Sequence, residues 1–307
     1  MRGLCVLGLA FGVCLWGLPA AGAGDPTETL GAGGVARTYV LHVPPGGDPP
    51  AARALVLAFH GGGGRGRGMV ALTGLDALAD RDGFIAVYPD GINRQWNDGR
   101  RTVRWAVDDV GFVAALIAAL SHRFHIDRGR VYATGISNGG LFAERLACDL
   151  APDIAAIAPV AGNMPADIAP ACAPARPVSL IQISGTQDPL VPYGGGQIAR
   201  PFGLGEGGVV WSVADTVAFW ARRDGCDGAP VRTTPAPIAP PDGTRVVRTA
   251  YERCARGTSV ALYTIEGGGH TWPGGPQYLP VGLIGPASRQ LNASEVIVEF
   301  FRLHPMH

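Results

Sequence analysis

Residues 131–140 read Val131-Tyr132-Ala133-Thr134-Gly135-Ile136-Ser137-Asn138-Gly139-Gly140, and the fold turns on how they are parsed. The β-branched and aromatic residues up to Thr134 predict a short strand, and the run 141–150 is compatible with a helix. Between them, Gly135-Ile136-Ser137-Asn138-Gly139 carries the G-x-S-x-G spacing of a nucleophile elbow. In such an elbow the strand turns so sharply into the helix that the serine is strained and its hydroxyl stands clear of the sheet. Glycines suit the flanks because a Cβ there would meet the strand or the helix. The following helix would turn the positive end of its dipole toward charge developing at Ser137. The same residues also fit an ordinary loop in which Ser137 caps the helix, so the choice falls to the rest of the chain.

Outward from this stretch, apolar runs at 54–59, 84–88, 154–160, 178–184 and 260–265 predict strands buried on both faces, and the alternating run 36–43 predicts a half-exposed one. Helices are expected over 70–79 and 209–223, and after Asn292-Ala293-Ser294-Glu295, whose pattern suits a helix start. A further helix should begin at Asp108 or Asp109, since Val113, Leu116, Ile117 and Leu120 place one apolar stripe on it. A Pro/Gly-rich insertion occupies 230–243. Strand and helix alternate, which predicts an α/β fold with a mostly parallel central sheet and helices on both faces. No repeat or break in composition divides the chain, so 24–307 is expected to form one catalytic domain.

A nucleophilic serine needs a base for its proton and a carboxylate to hold that base in the right tautomer. In the α/β-hydrolase arrangement these follow in the order Ser, Asp, His. The strand at 178–184 leaves through a loop containing Asp188, and the last apolar strand leaves through Gly267-Gly268-Gly269-His270. A parallel sheet puts Ser137, Asp188 and His270 on one rim. Asp188 before Pro189 could merely open a turn, and Asp215 is a rival acid, but Asp215 falls inside a predicted helix. Of the histidines, His270 is the one that follows the final strand in a glycine-rich loop. Acyl transfer also needs N–H donors for the oxyanion: Asn138 supplies one, and the run His60-Gly61-Gly62-Gly63-Gly64 another, with Gly62 favoured. His60 is read as a brace for that run. The run lacks the Gly-Lys-Ser/Thr ending of a phosphate-binding loop. Trp96, Trp105 and Trp272 stand nearest the rim loops, and Trp272 and Trp96 are the candidates to stack on substrate, Trp272 equally suiting a buried anchor for the histidine loop.

Charge sets further bounds. Arg supplies every one of the 25 basic residues, balanced by 25 acidic ones, which removes any general electrostatic case for nucleic acid or an anionic membrane as partner. Arg2, the apolar run 4–18 and Pro19-Ala20-Ala21-Gly22-Ala23 form a signal-peptide pattern with cleavage after Ala23, the alternative being an uncleaved anchor. Export to the periplasm or medium is expected. Removing 1–23 leaves Cys148, Cys172, Cys226 and Cys254, an even number that favours two disulfides; Cys148 with Cys172 and Cys226 with Cys254 is the simplest of the three possible pairings. No Cys/His cluster suggests a metal, and neither cofactor nor metal is expected.

Taken together, 60–64, Trp96-Asn97-Asp98, 108–112, 135–140, 185–193 and 267–275 resemble the secreted polyhydroxybutyrate depolymerase and feruloyl esterase-like family, related to carbohydrate esterase family 1. The likeness covers about 36–304. It implies an α/β-hydrolase fold, a cofactor-free carboxylic ester hydrolase, a Ser137, Asp188 and His270 triad, and a Cys226–Cys254 pair. The sequence departs from polymer-degrading members in that no linker and no appended binding domain are read in it, so soluble esters or oligomers are expected over a solid polyester. The expected substrates are feruloyl or other aryl esters of plant polysaccharide, or hydroxyalkanoate esters, taken up by a monomer. A serine peptidase or an acyltransferase on the same scaffold, and a binding protein without catalysis, are the alternatives.

Overall fold

The computed structural model describes residues 25–46, 51–103, 107–200 and 205–306. The signal-peptide reading of 1–23 and Trp105 fall outside them. Strands β1 (Thr27–Ala32), β2 (Val35–His42), β3 (Arg53–Phe59), β4 (Ile85–Pro89), β5 (Ile126–Ile136), β6 (Ala156–Val160) and β7 (Ser179–Gly185) are followed by a small pair, β8 (Gly196–Gln197) and β9 (Val209–Val210). β10 (Val231–Thr233), β11 (Arg245–Tyr251) and β12 (Val260–Glu266) complete the set. The helices are α1 (Gly66–Thr73), α2 (Leu75–Asp82), α3 (Asp109–Arg123), α4 (Asn138–Asp149), α5 (Val213–Arg223), α6 (Val281–Ile284) and α7 (Ala293–Leu303).

All strands but β8 and β9 join one sheet in the order β1-β2-β4-β3-β5-β6-β7-β12-β11-β10. Its centre, β4-β3-β5-β6-β7-β12, is parallel throughout. The flanks β1-β2 and β11-β10 run antiparallel. Period-two alternation splits the apolar residues of β3 between two cores. Leu55, Leu57 and Phe59 pack with α3, α4 and α5 on one face; Val56 and Ala58 pack with α1, α2 and α7 on the other. This is the α/β-hydrolase architecture, and its parallel centre delivers the ends of β3, β5, β7 and β12 to one rim.

Local chemistry corrects several expected boundaries. The helix expected over 70–79 is two helices, because Gly74 adopts the left-handed conformation (φ 60°) and closes α1. Residues 209–210 form strand β9, and the following helix begins at Val213 under a cap in which Ser212 accepts the Asp215 N–H at 2.9 Å. Asp108 rather than Asp109 caps α3, accepting the Gly111 N–H at 2.8 Å. Asp109 instead pairs with buried Arg37 at 2.7 Å. β1, β10 and β11 were not expected. Disulfides join Cys148 to Cys172 and Cys226 to Cys254, the simplest pairing. Among the described residues no helix is long and apolar enough to cross a membrane.

Candidate active site

Ser137 sits at the sharp turn between β5 and α4 with φ 57° and ψ −125°. That conformation costs a non-glycine residue on the order of 1–3 kcal/mol, so the surroundings must hold it. They do so from both sides: the Ser137 N–H donates to the Val160 carbonyl and the Leu141 N–H donates to the Ser137 carbonyl, both at 2.9 Å. Gly139 lets α4 lie against the end of β3, since a Cβ there would come within 2.2 Å of the Phe59 carbonyl oxygen. The hydroxyl makes no capping bond to α4. The helix-cap reading of Ser137 is thereby set aside.

The loop after β7 turns on Asp188. One carboxylate oxygen accepts the Leu190 and Val191 N–H groups at 2.8 and 2.9 Å, so the Asp-Pro turn and an acid held for another partner are one structure. The other oxygen lies 2.7 Å from Nδ1 of His270, and both side chains are buried. The loop after β12 carries His270 and is fastened by its N–H to the Ile284 carbonyl at 2.6 Å. Ser137 and His270 line a common cavity of about 400 Å³ together with Gly62, Met69, Tyr278 and Leu279. A second cavity of about 540 Å³, lined by Leu141, Leu190, Leu283 and Arg100, also reaches Ser137, Asn138 and Gly62. A third cavity, about 620 Å³, lies between α7 and β11–β12 and includes neither Ser137 nor His270.

Comparison with known proteins identifies the family. The family model described as Esterase PHB depolymerase matches residues 37–176. "Putative esterase NocK" of Nocardia uniformis subsp. tsuyamanensis is 34% identical over 92% of this chain and 84% of its own length. The chain belongs to this esterase family. Feruloyl esterase C of Emericella nidulans is 29% identical over 73% of this chain and 90% of its own. Feruloyl esterase B of Piromyces equi is 34% identical over 62% of this chain, which spans only 34% of that longer protein. Two solved structures share the fold: an acetyl xylan esterase from Aspergillus awamori (TM-score 0.59, 15% identity, 91% and 99% of the two chains) and native pOPH (TM-score 0.55, 15% identity, 95% and 91%).

In this esterase the glycine run sits beside the elbow. The Gly63 N–H donates to the Arg94 carbonyl and the Gly64 N–H to the Gly61 carbonyl, at 2.8 and 2.9 Å. Gly62 borders both cavities at Ser137, and among the described residues its N–H has no such engagement. His60 is a brace: Gly91 N–H donates to its Nε2 at 2.9 Å, which leaves Nδ1 to carry the proton and donate to the Gly61 carbonyl at 2.8 Å. Burial lowers its pKa, in keeping with a neutral ring.

The two tryptophans proposed to stack on substrate do not reach it. Trp96 is fully buried, stacked on Phe142 with ring centroids 5.1 Å apart, and its Nε1–H donates to the His60 carbonyl at 3.1 Å. Trp272 is 1% exposed and donates to Ser294 Oγ at 3.0 Å. Their faces are covered by protein, so the stacking role is corrected for both, and Trp272 takes the alternative reading of a buried anchor. The exposed apolar groups at the cavity lip are Tyr278, Leu279 and Leu283, which the sequence reading missed. The signal for Tyr278 was an aromatic eight residues past His270, in the loop that His270 itself heads. Among the described residues the carboxylate of the rival acid Asp215 accepts from its own cap, Ser212 Oγ, at 2.6 Å.

Away from the rim, Asp25, His42 and Asp76 could meet on a metal ion. The imidazole already has partners there, Asp25 at 3.0 Å and Asp80 at 2.9 Å. Burial alone would lower the His42 pKa; the bonds to Asp80 and Asp25 outweigh it and raise it, which suits a paired cation.

Proposed function

We propose that this esterase hydrolyses carboxylic esters through an acyl-enzyme on Ser137. His270 takes the serine proton as the hydroxyl attacks the ester carbonyl, then gives it to the departing alcohol; water repeats the sequence and frees the acid. Asp188 holds Nδ1–H and so presents the bare Nε2 to Ser137. The N–H groups of Asn138 and Gly62 receive the oxyanion, each contributing roughly 3 kcal/mol at the transition state. The observation that carries this reading is the strained Ser137 sharing one cavity with a histidine whose other nitrogen is committed to a buried aspartate. Catalytic hydrogen bonds commonly tighten only with substrate present, so a shared cavity without a Ser137–His270 bond is compatible with the role.

Apolar side chains line part of each cavity, Leu141, Val191, Ile198 and Leu283 in one, Met69, Leu72 and Ile136 in the other, and Leu190 and Leu279 in both, which suits an ester with an apolar or aromatic portion. Feruloyl or other aryl esters of plant polysaccharide and hydroxyalkanoate oligomers meet that requirement, and relatives named feruloyl esterase favour the first. Two formed disulfides suit an oxidising compartment outside the cytosol. The test is Ser137→Ala assayed on methyl ferulate, acetylated xylan and hydroxybutyrate oligomers, beside labelling by a fluorophosphonate probe. Activity and labelling should both vanish while the fold persists; retained turnover would sink the assignment.

A further inference from the structure

Behind the rim lies a buried polar chain that the proposed chemistry does not use. The Asn138 side-chain amide donates to Asp98 at 2.7 Å. Asp98, fully buried, receives Arg100 through Nε at 2.9 Å and Nη2 at 2.7 Å. The remaining guanidinium nitrogen, Nη1, donates to the Gly207 carbonyl. Gly207 belongs to the segment 205–207, which with Arg100 walls part of the 540 Å³ cavity. From Gly208 onward the chain is held by backbone bonds, Ile198 N–H to Gly208 at 2.8 Å and Ala166 N–H to Val209 at 2.9 Å. At Gly207 the arginine holds it. Gly208 allows the close approach: its φ is 94°, and a Cβ there would lie 2.9 Å from Arg100 Cδ.

We propose that Arg100 is a specificity-determining positioning residue, fastening the 205–207 wall of the 540 Å³ cavity to the brace behind Asn138 and so setting how well long acyl groups are held. The inference rests on the serine esterase reading above. A buried Arg–Asp pair gives little net stability against an apolar replacement, so its presence calls for a positional use. A planar fork with several donors can serve a carboxylate and a carbonyl at once, as an ammonium on a flexible stem cannot. Ser137 and 205–207 line one cavity, so a long acyl chain on Ser137 would extend toward that wall, whereas an acetyl group would end nearer the serine. Loosening that wall removes contacts made equally in ground and transition states, which raises KM and leaves kcat.

The experiment compares p-nitrophenyl acetate and octanoate on the full chain. Arg100→Lys keeps a cation for Asp98 but gives up Gly207. The expected result is a fall of about tenfold in the octanoate-to-acetate ratio of kcat/KM, carried by KM. The double variant Asp98→Asn with Arg100→Met removes both buried charges, leaves an amide oxygen in place of the carboxylate to accept from Asn138, and should shift the ratio likewise if the lysine variant fails to fold. Equal loss on both esters, or no change in the ratio, overturns the proposal. Wild-type turnover by Ser137→Ala would instead overturn the serine reading beneath it.

Discussion

The side-chain amide of Asn138 meets the backbone of Trp96 at two points, accepting its N–H at 2.8 Å and donating to its carbonyl at 3.0 Å. The residue whose N–H is proposed to receive the oxyanion is thus fixed by its own side chain, and the Trp96 ring ties the same loop to the His60 carbonyl. Asn138→Ala keeps the backbone N–H but frees its position. Since misplacement of about 1 Å can cost on the order of 100-fold, kcat on a soluble aryl ester should fall by roughly that factor while KM moves little. Steady-state kinetics decide it; an unchanged kcat would show that the N–H is held by α4 alone.

This brace also marks where reading the sequence stops. Continuous apolar runs such as 54–59 identified the central strands because strands buried on both faces leave that pattern whatever covers them. The order of Ser137, Asp188 and His270 pointed to one rim because parallel strands all end there. Trp96 carries no such mark: an aromatic residue in a polar loop reads the same whether its face meets substrate or, as here, Phe142. β11 escaped because its exposed Arg245 and half-buried Arg248 and Thr249 break any apolar run; its pairing with β12 is what makes it a strand. Gly74 could as well have sat inside one helix, and only its left-handed φ separates α1 from α2.

Asp188 has one oxygen on the 190–191 turn and one on His270. Asp188→Asn should keep the turn through its carbonyl oxygen, yet present an N–H to Nδ1 and so favour the wrong imidazole tautomer. By analogy with other serine hydrolases kcat should drop by about 10⁴-fold with the fold intact. Activity within tenfold of wild type, measured beside circular dichroism, would remove Asp188 from the proposed triad.

Glu144 sits on α4, fully buried, with one oxygen on the Trp220 Nε1–H at 2.6 Å and the other without a hydrogen-bond partner. Burial pushes its pKa up to about 8, far above its value in an unfolded chain. The sign follows from linkage: the folded protein holds a proton that the unfolded chain releases, so this stabilisation is full below about pH 4.5 and is lost as pH rises toward 8. Asp224, raised to about 7 by burial, acts in the same direction. Glu144→Gln should remove only the first contribution, and its melting temperature relative to wild type should climb between pH 5 and 8 and then level off. A difference independent of pH across that window would mean that Glu144 is ionised in the native state.

Tyr278 joins the lip of the smaller cavity to the proposed base. Its hydroxyl donates to the His270 carbonyl at 2.8 Å, while the residue as a whole is 40% exposed; burial of the phenol, with the charge of Asp188, raises its pKa and keeps it neutral. Two substitutions separate the two ends of the side chain. Tyr278→Phe removes the bond that steadies the His270 loop and should lower kcat about threefold on every ester, the cost of one neutral hydrogen bond, with KM nearly constant. Tyr278→Ala also removes the ring, and if that ring carries an aryl group the KM for methyl ferulate should rise by a further factor of about five relative to that for p-nitrophenyl acetate, as expected for about 1 kcal/mol of aromatic contact. Equal KM values for Phe and Ala variants on the ferulate would place the aryl group in the larger cavity, against Leu190 and Leu283.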